Sequence, residues 1–416
     1  MRVLFVTPYV PSRIRVRPFH FIQSLAPSHE ISLVSLVCDR YEEELAGQVA
    51  QYCASIELVR LPKWQAYANC LRALPSSLPL RVAYYQSPAL IERVLWVIRK
   101  RKIEVVHGEL IKVMPALHTV LARERVPVLY DSVDCISSYL EQQWRSSGNP
   151  LHKAFVYTEL RKMRRYEQRS LRVLDQVVIT SPYDRERLIA LGEDGEHIQV
   201  VPNGVDTTYF APLPVSQERD SLVFCAKMDY YPNAQAMLNF CREVLPLIWK
   251  ARPGVRLTIV GNRPPQAVRE LRADPRIAVT GFVPDIRPYL SRASVALAPL
   301  LVAAGIQNKV LEALAMGTPV VATPGSCRSL QVQHQRHLLI AEGAQAYANA
   351  ILRLLEDPAL ARQLAAEGRQ YVEQHYSWQA ATTLLGELYQ RMHQTLQAQH
   401  MAEGGMPVEN TTTMML

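Results

Sequence analysis

The chain has 416 residues, 49% of them apolar and 20% charged, and a formal net charge of +8. That length is too great for one ordinary domain and suits two of roughly 150–200 residues each, while the composition excludes a low-complexity or disordered chain. The opening MRVLFVTPYVPSRIRVRP has too short an apolar run for a signal peptide, and no stretch approaches the roughly 18 apolar residues of a membrane span. A cytoplasmic protein is therefore expected, attached at most to the inner face of a membrane. Seven cysteines without CxxC spacing read as reduced, mostly buried thiols.

In chain order, residues 2–7 (RVLFVT) form a short apolar run ending at Pro8, as suits a buried parallel strand. Residues 19–25 read as a helix and 31–37 (ISLVSLV) as a second strand. Residues 90–101 are helical and lead into a strand at 103–107 (IEVVH). Another strand covers 126–130 and ends in Asp131. Residues 138–172 are largely helical and amphipathic, and strands follow at 176–180 (QVVIT) and 198–201. After a turn cluster at 202–206, the polar, proline-containing stretch 212–220 is the expected interdomain linker. The pattern then restarts with a strand at 221–226, a helix at 234–249 and strands at 256–260, 277–280 and 295–298. A loop, a helix around Glu312 and a strand at 320–323 come next. Helices at 344–355, 359–374 and 379–399 precede a Gly-, Thr- and Met-rich tail that is expected to be disordered. The repeated strand–helix–strand order predicts an α/β fold of two doubly wound, Rossmann-like domains.

Much of the positive charge lies at residues 99–102 and 161–172. In the second run Arg161, Lys162, Arg164, Arg165, Arg169 and Arg172 face Glu167 alone. Such runs are either solvated helix faces or surfaces that meet anionic lipid or an acidic substrate. They lack the interleaved aromatic platforms of a nucleic-acid binder.

The most informative segment is GIQNKVLEALAMGTPVVAT, residues 305–323. Val310, Leu311, Leu314 and Ala315 make one apolar helix face, Gly317 suits the C′ position and Pro319 prevents continuation. Gly305 lets a ligand approach the backbone where the loop enters the helix. The N–H groups near Ile306 and Gln307, with the helix dipole, form an anion site suited to a diphosphate. Lys309 would add a mobile cation, and Glu312 is an acceptor suited to a pair of ribose hydroxyls. The plainer alternative is a surface helix with Lys309 and Glu312 as an i,i+3 ion pair.

Residues 305–317 resemble the signature of the group 1 (family 4) retaining glycosyltransferases, whose motif ends in Leu-Glu-Ala-hydrophobic-Ala-x-Gly. The likeness extends over nearly the whole chain. VPNGVD at 201–206 resembles the family's interdomain signature, and GFVPDIR at 281–287 its nucleotide-proximal segment. MDYYPN at 228–233, together with GIQNK at 305–309, is similar to sugar transferases of exopolysaccharide systems. The resemblance implies a GT-B fold facing an interdomain cleft, with an acceptor domain at 1–205 and a nucleotide-sugar domain at 206–376. A terminal helix at 377–400 would cross back, before a tail at 401–416. It implies metal-independent transfer, with retention, from a nucleoside-diphosphate-sugar co-substrate to a glycan or lipid-linked acceptor, and no resident cofactor. Gly305, Ile306, Gln307, Lys309, Glu312, Arg287 and Lys227 would line the donor site. The family usually has two glutamates separated by seven residues. Glu312 matches the second, but Ala304 replaces the first.

In doubly wound sheets, ligands gather beyond the carboxyl ends of the strands. That rule makes Arg17 and His20, after the first strand, candidates for phosphate or acceptor contact. His107, Glu109 and Asp131 end strands on the same side. His107 and Asp131 are the candidate catalytic pair, as proton acceptors for the acceptor hydroxyl, and Glu109 an acceptor contact. Two other functions remain open: a nucleotide-sugar epimerase of the same architecture, and an inactive nucleotide-sugar-binding scaffold.

Overall fold

The computed structural model describes residues 1–402 except 14, 193–194 and 302–304, so Ala304 and the tail beyond 402 lie outside the described residues. Contacts divide the chain into two units. Unit 1 comprises Met1–Val178, Leu188–Gln199 and the residues from Thr382 onward. Unit 2 comprises Ile179–Arg187 and Val200–Ala381.

The sheet of unit 1 is built from β1 (Arg2–Thr7), β2 (Glu30–Val37), β3 (Ser55–Arg60), β4 (Val105–Glu109), β5 (Val128–Val133), β6 (Gln176–Ile179) and β7 (Ile198–Val200). Its order is β3-β2-β1-β4-β5-β6-β7. The registered pairings among β1 to β5 are parallel. The strand order reverses between β1 and β4, which places the switch point of this doubly wound sheet at their carboxyl ends.

The sheet of unit 2 repeats the plan. It contains β8 (Ser221–Cys225), β9 (Arg256–Val260), β10 (Ile277–Val279), β11 (Val295–Ala298), β12 (Val320–Ala322) and β13 (Leu339–Ile340). The order is β10-β9-β8-β11-β12-β13, with parallel pairing throughout. Successive side chains of a strand point to opposite faces. On β8, Leu222 and Phe224 enter one core while Val223 and Cys225 enter the other, so both faces of the sheet are covered. These two sheets bear out the expected α/β fold of two doubly wound halves.

Several local expectations shift. The stretch 212–220, expected as the linker, is held within unit 2. Leu213 N–H donates to Ser291 Oγ at 3.2 Å and Glu218 N–H to the Arg292 carbonyl at 2.7 Å. The helix expected at 234–249 is three pieces, Tyr231–Asn239, a wider π turn at Phe240–Val244, and Leu245–Ala251. Pro246 has no N–H to continue an α ladder, and the π turn absorbs the break. The terminal helix runs Trp378–Ala402, so it includes the first two residues of the expected tail.

The turn at 202–206 packs closely on the residues that lead into that helix. Val205 N–H donates to the Tyr376 carbonyl at 2.7 Å. A side chain at Gly204 would lie 2.5 Å from the Trp378 backbone nitrogen, so only glycine allows this approach.

Candidate functional site

In unit 2 the strand order reverses between β8 and β11. The segment after β8 carries Lys227, and the loop after β11 leads to Gly305. That loop is pinned at Leu300. Thr323 Oγ1 donates to the Leu300 carbonyl, and Leu300 N–H donates to Ser326 Oγ at 3.3 Å. Gly325 completes the clamp, since a Cβ there would sit 2.4 Å from the Leu301 carbonyl oxygen. The sequence signal for this clamp was TPGS at 323–326, a capping hydroxyl followed by Pro and Gly, and sequence reasoning missed it.

The helix begins at Asn308, two residues later than expected, and runs Asn308–Ala315. Gln307 is its N-cap, in extended conformation at φ −88°, ψ 90°. Ile306 and Gln307 therefore precede the helix, and the N–H groups of its first turn belong to Asn308 and Lys309. The cause is packing, because the Ile306 side chain belongs to the core with Val310 and Leu311. Gly305 adopts φ +62°, which an L side chain rarely takes. The helix ends as expected, with Gly317 at φ +66°. Its N–H donates to the Leu314 carbonyl at 2.9 Å and that of Thr318 to the Ala313 carbonyl at 3.0 Å, the paired bonds of a Schellman stop.

Lys309 and Glu312 are both half-buried on this helix. Lys309 Nζ donates to Gln307 Oε1 at 2.8 Å, and among the described residues no ion pair joins it to Glu312. Burial pushes the Glu312 carboxyl up to about 7, against the weaker pull of Lys309. Burial also lowers the Lys309 ammonium to about 8, opposed by Glu312. Glu312 lies close enough to Cys225, at the end of β8, to add to the burial that raises its thiol. The site thus holds one carboxyl and one amine that are each desolvated and poorly compensated. A ligand offering hydroxyl donors and anionic oxygens would satisfy both.

The other two donor-site candidates have different surroundings. Lys227 is 72% exposed with Asp229 3.9 Å away. Arg287 grips Asp285 through two nitrogens, at 3.0 and 2.8 Å. It also stacks over the Tyr209 ring at 3.8 Å and donates to the Tyr209 carbonyl at 3.1 Å. Its planar fork therefore braces the segment around Tyr209.

In unit 1, Glu109 and Asp131 are register partners on β4 and β5, so they and His107 project from one face of the sheet. Arg17 does not face solvent. It is 4% exposed, and its Nε lies 2.7 Å from Asp131 Oδ2. Its guanidinium also sits over the Phe21 ring at 4.8 Å. Burial alone would raise the Asp131 carboxyl, but Arg17 and His107 outweigh it and hold it below the ordinary range.

His107 is completely buried and stacked on Phe5 at 4.5 Å. Its Nδ1 is 2.6 Å from the Tyr389 hydroxyl, and its Nε2 is 3.6 Å from Asp131, beyond hydrogen-bond reach. Burial keeps the imidazole below its usual value, against the pull of Asp131. Glu109 accepts one bond, from the Tyr9 hydroxyl at 3.1 Å, while its Oε2 has no hydrogen-bond partner among the described residues. Burial, then the Asp131 charge, push it up to about 8. His20 is half-buried on the helix Val16–Leu25, edge-on to Phe19. Tyr9 and Tyr389 complete this cluster; nothing in the sequence pattern pointed to either.

Among the described residues no group of three or more His, Cys, Asp or Glu is arranged to hold a metal ion, and no helix is long and apolar enough to cross a membrane.

Comparison with known proteins accounts for most of the chain. Residues 20–204 match the glycosyl transferase 4-like domain, and residues 219–357 match glycosyl transferases group 1. A GDP-mannose-dependent alpha-(1-6)-phosphatidylinositol monomannoside mannosyltransferase of Mycobacterium tuberculosis is 26% identical over 238 residues, 51% of this chain and 61% of the relative. A D-inositol 3-phosphate glycosyltransferase of Pseudarthrobacter chlorophenolicus is 30% identical over 202 residues, 43% of this chain and 47% of the relative. The chain thus spans about half to three-fifths of the length of these relatives. Among solved structures, sucrose-phosphate synthase from Thermosynechococcus elongatus superposes with a TM-score of 0.70 at 17% identity, covering 95% of this chain and all of that one. Anabaena HepE in complex with UDP gives 0.68 at 15% identity, covering 94% of this chain and all of that one. Its two glycosyl transferase domain matches, the 4-like one followed by the group 1 one, together with its two doubly wound sheets, give the chain the GT-B fold.

Proposed function

We propose that the protein transfers a sugar from a nucleoside-diphosphate-sugar to a glycan or lipid-linked acceptor, with retention at the anomeric carbon, in cell-surface polysaccharide synthesis. The observation that carries this reading is the poorly compensated pair Lys309 and Glu312 on the helix entered through Gly305. Glu312, as a carboxylate, accepts hydrogen bonds from the ribose hydroxyls. Lys309 and the N–H groups of Asn308 and Lys309 meet the diphosphate, stabilising it more as charge develops on the leaving group. The anomeric C–O bond to the diphosphate breaks, a C–O bond to the acceptor hydroxyl forms, and the acceptor proton is released. The nucleotide-sugar is a co-substrate, and no resident cofactor is required.

Within unit 1, Asp131 is committed to Arg17 and His107 lies beneath it, so their role is to position. Glu109, with one oxygen to spare, is the acceptor-side group of the cluster. Similarity to proteins named for GDP-mannose, phosphatidylinositol mannosides and UDP supports both the donor class and a lipid-linked acceptor, which would bring the enzyme to the inner face of a membrane. Thermal-shift titration with UDP, GDP and their sugars, followed by transfer assays on an acceptor panel, tests the reading. A raised melting temperature with one nucleotide family and acceptor-dependent release of its diphosphate are expected. Release without any acceptor, or no nucleotide shift at all, would overturn it.

A further inference from the structure

The helix Lys63–Ala73 in unit 1 is built inside out. Its alanines Ala66 and Ala73 are buried, while Trp64 (73%), Tyr67 (62%), Leu71 (68%) and the following Leu74 (55%) stand in solvent. The spacing of these four, three or four residues apart, aligns them on one helix face. A surface helix ordinarily turns such residues inward.

Along this segment of the chain the charge has one sign. No acidic residue occurs from Leu61 to Ile91, and Lys63 and Arg72 are exposed on the helix itself. At its far end, Lys162 of the helix Pro150–Leu171 donates to the Leu74 carbonyl at 3.1 Å. The exposed Arg161 and Arg165 flank Lys162 on that helix. Acidic neighbours are Glu159, which accepts the Leu80 N–H and lies 3.9 Å from Lys162, and, towards Lys63, Asp39 and Glu42, which act with it on Cys38.

We propose that this face docks the protein onto an anionic lipid surface, with Trp64, Tyr67, Leu71 and Leu74 entering the headgroup region and the cations meeting lipid phosphates. Amphipathic aromatic rings flanked by Lys and Arg are suited to that boundary. The face of one 11-residue helix is well short of the roughly 800 Å² per partner that a stable dimer buries, which argues against a second copy as the occupant. The proposal deepens the reading of a lipid-linked acceptor, yet vesicle binding requires neither nucleotide nor transfer, so the two fail separately.

Co-sedimentation of the full chain with vesicles of phosphatidylcholine, with and without phosphatidylglycerol, tests it. Binding to the anionic vesicles that weakens with salt is expected. The triple variant Trp64→Gln, Tyr67→Gln, Leu71→Gln should bind them on the order of tenfold or more weakly, with its melting temperature and nucleotide-induced shift unchanged. The single variant Leu71→Gln, at an exposed position, gives the same test in smaller measure should the triple variant not fold. Equal binding by variant and wild type, no preference for anionic vesicles, or a wild-type dimer that the variant converts to monomer would each overturn the proposal.

Discussion

In unit 1 the buried Asp131 is met at 2.7 Å by Arg17, whose other face rests on Phe21. In unit 2 the half-buried Glu312 and Lys309 share a helix, but no ion pair joins them. Burial acts on all of these groups, yet the outcomes diverge. Asp131 is held below the ordinary carboxylate range, while Glu312 is pushed up to about 7 and Lys309 down to about 8. A charge paired within the protein organises the fold. A charge desolvated and left uncompensated costs stability that a ligand can return.

The largest expected effect is in unit 1. Arg17→Leu leaves Asp131 buried without its cation, which should cost about 3–5 kcal/mol. Denaturant unfolding measures it, and a loss near zero would break the contrast between the units. Next is Gly317→Ala, which forces a Cβ into φ +66° and should cost about 1–2 kcal/mol, read in the same way. Opposite in sign are Lys309→Met and Glu312→Gln, which remove desolvated charge. Each should leave the melting temperature of the nucleotide-free protein unchanged or slightly raised. A clear fall would mean that these residues serve the fold.

The smallest effect is a pH slope. Burial pushes Glu167 up to about 7 from the ordinary carboxyl value of 4.5, although it accepts the N–H groups of Ile136 and Ser137. Between those values the folded state holds a proton that the unfolded chain releases, so this group makes stability fall as pH rises from about 4.5 through 7. Lys309 acts the other way at higher pH. The unfolded chain binds the extra proton between about 8 and the ordinary lysine value of 10.5, so stability recovers across that range. Melting curves of Glu167→Gln from pH 5 to 8 should show a shallower decline than wild type.

How much was legible in the sequence follows from how local each feature is. The strands at 2–7, 31–37 and 221–226 announce themselves as apolar runs, and the Schellman stop at Gly317 is written within a few residues. Strand β3 (SIELVR) was missed because it is an edge strand, half-exposed and carrying Glu57 and Arg60, so it lacks that signature. The late start of the Asn308–Ala315 helix was hidden because the packing of Ile306, not the propensity of the segment, sets it. The unit 1 cluster was legible only in part. Strand ends flagged His107, Glu109 and Asp131. The Arg17–Asp131 bond, however, joins residues 114 apart, and the His107–Tyr389 contact residues 282 apart. No periodicity records such pairs.

The proposed role of Glu312 and Lys309 is to hold a nucleotide. Thermal-shift titration of wild type and Glu312→Ala with UDP and GDP tests it most directly. One nucleotide should raise the wild-type melting temperature, and the variant should bind it roughly tenfold to a hundredfold more weakly, the value of about 1.5–3 kcal/mol for hydrogen bonds to a charged group. A shift of full size in Glu312→Ala would rule out that role.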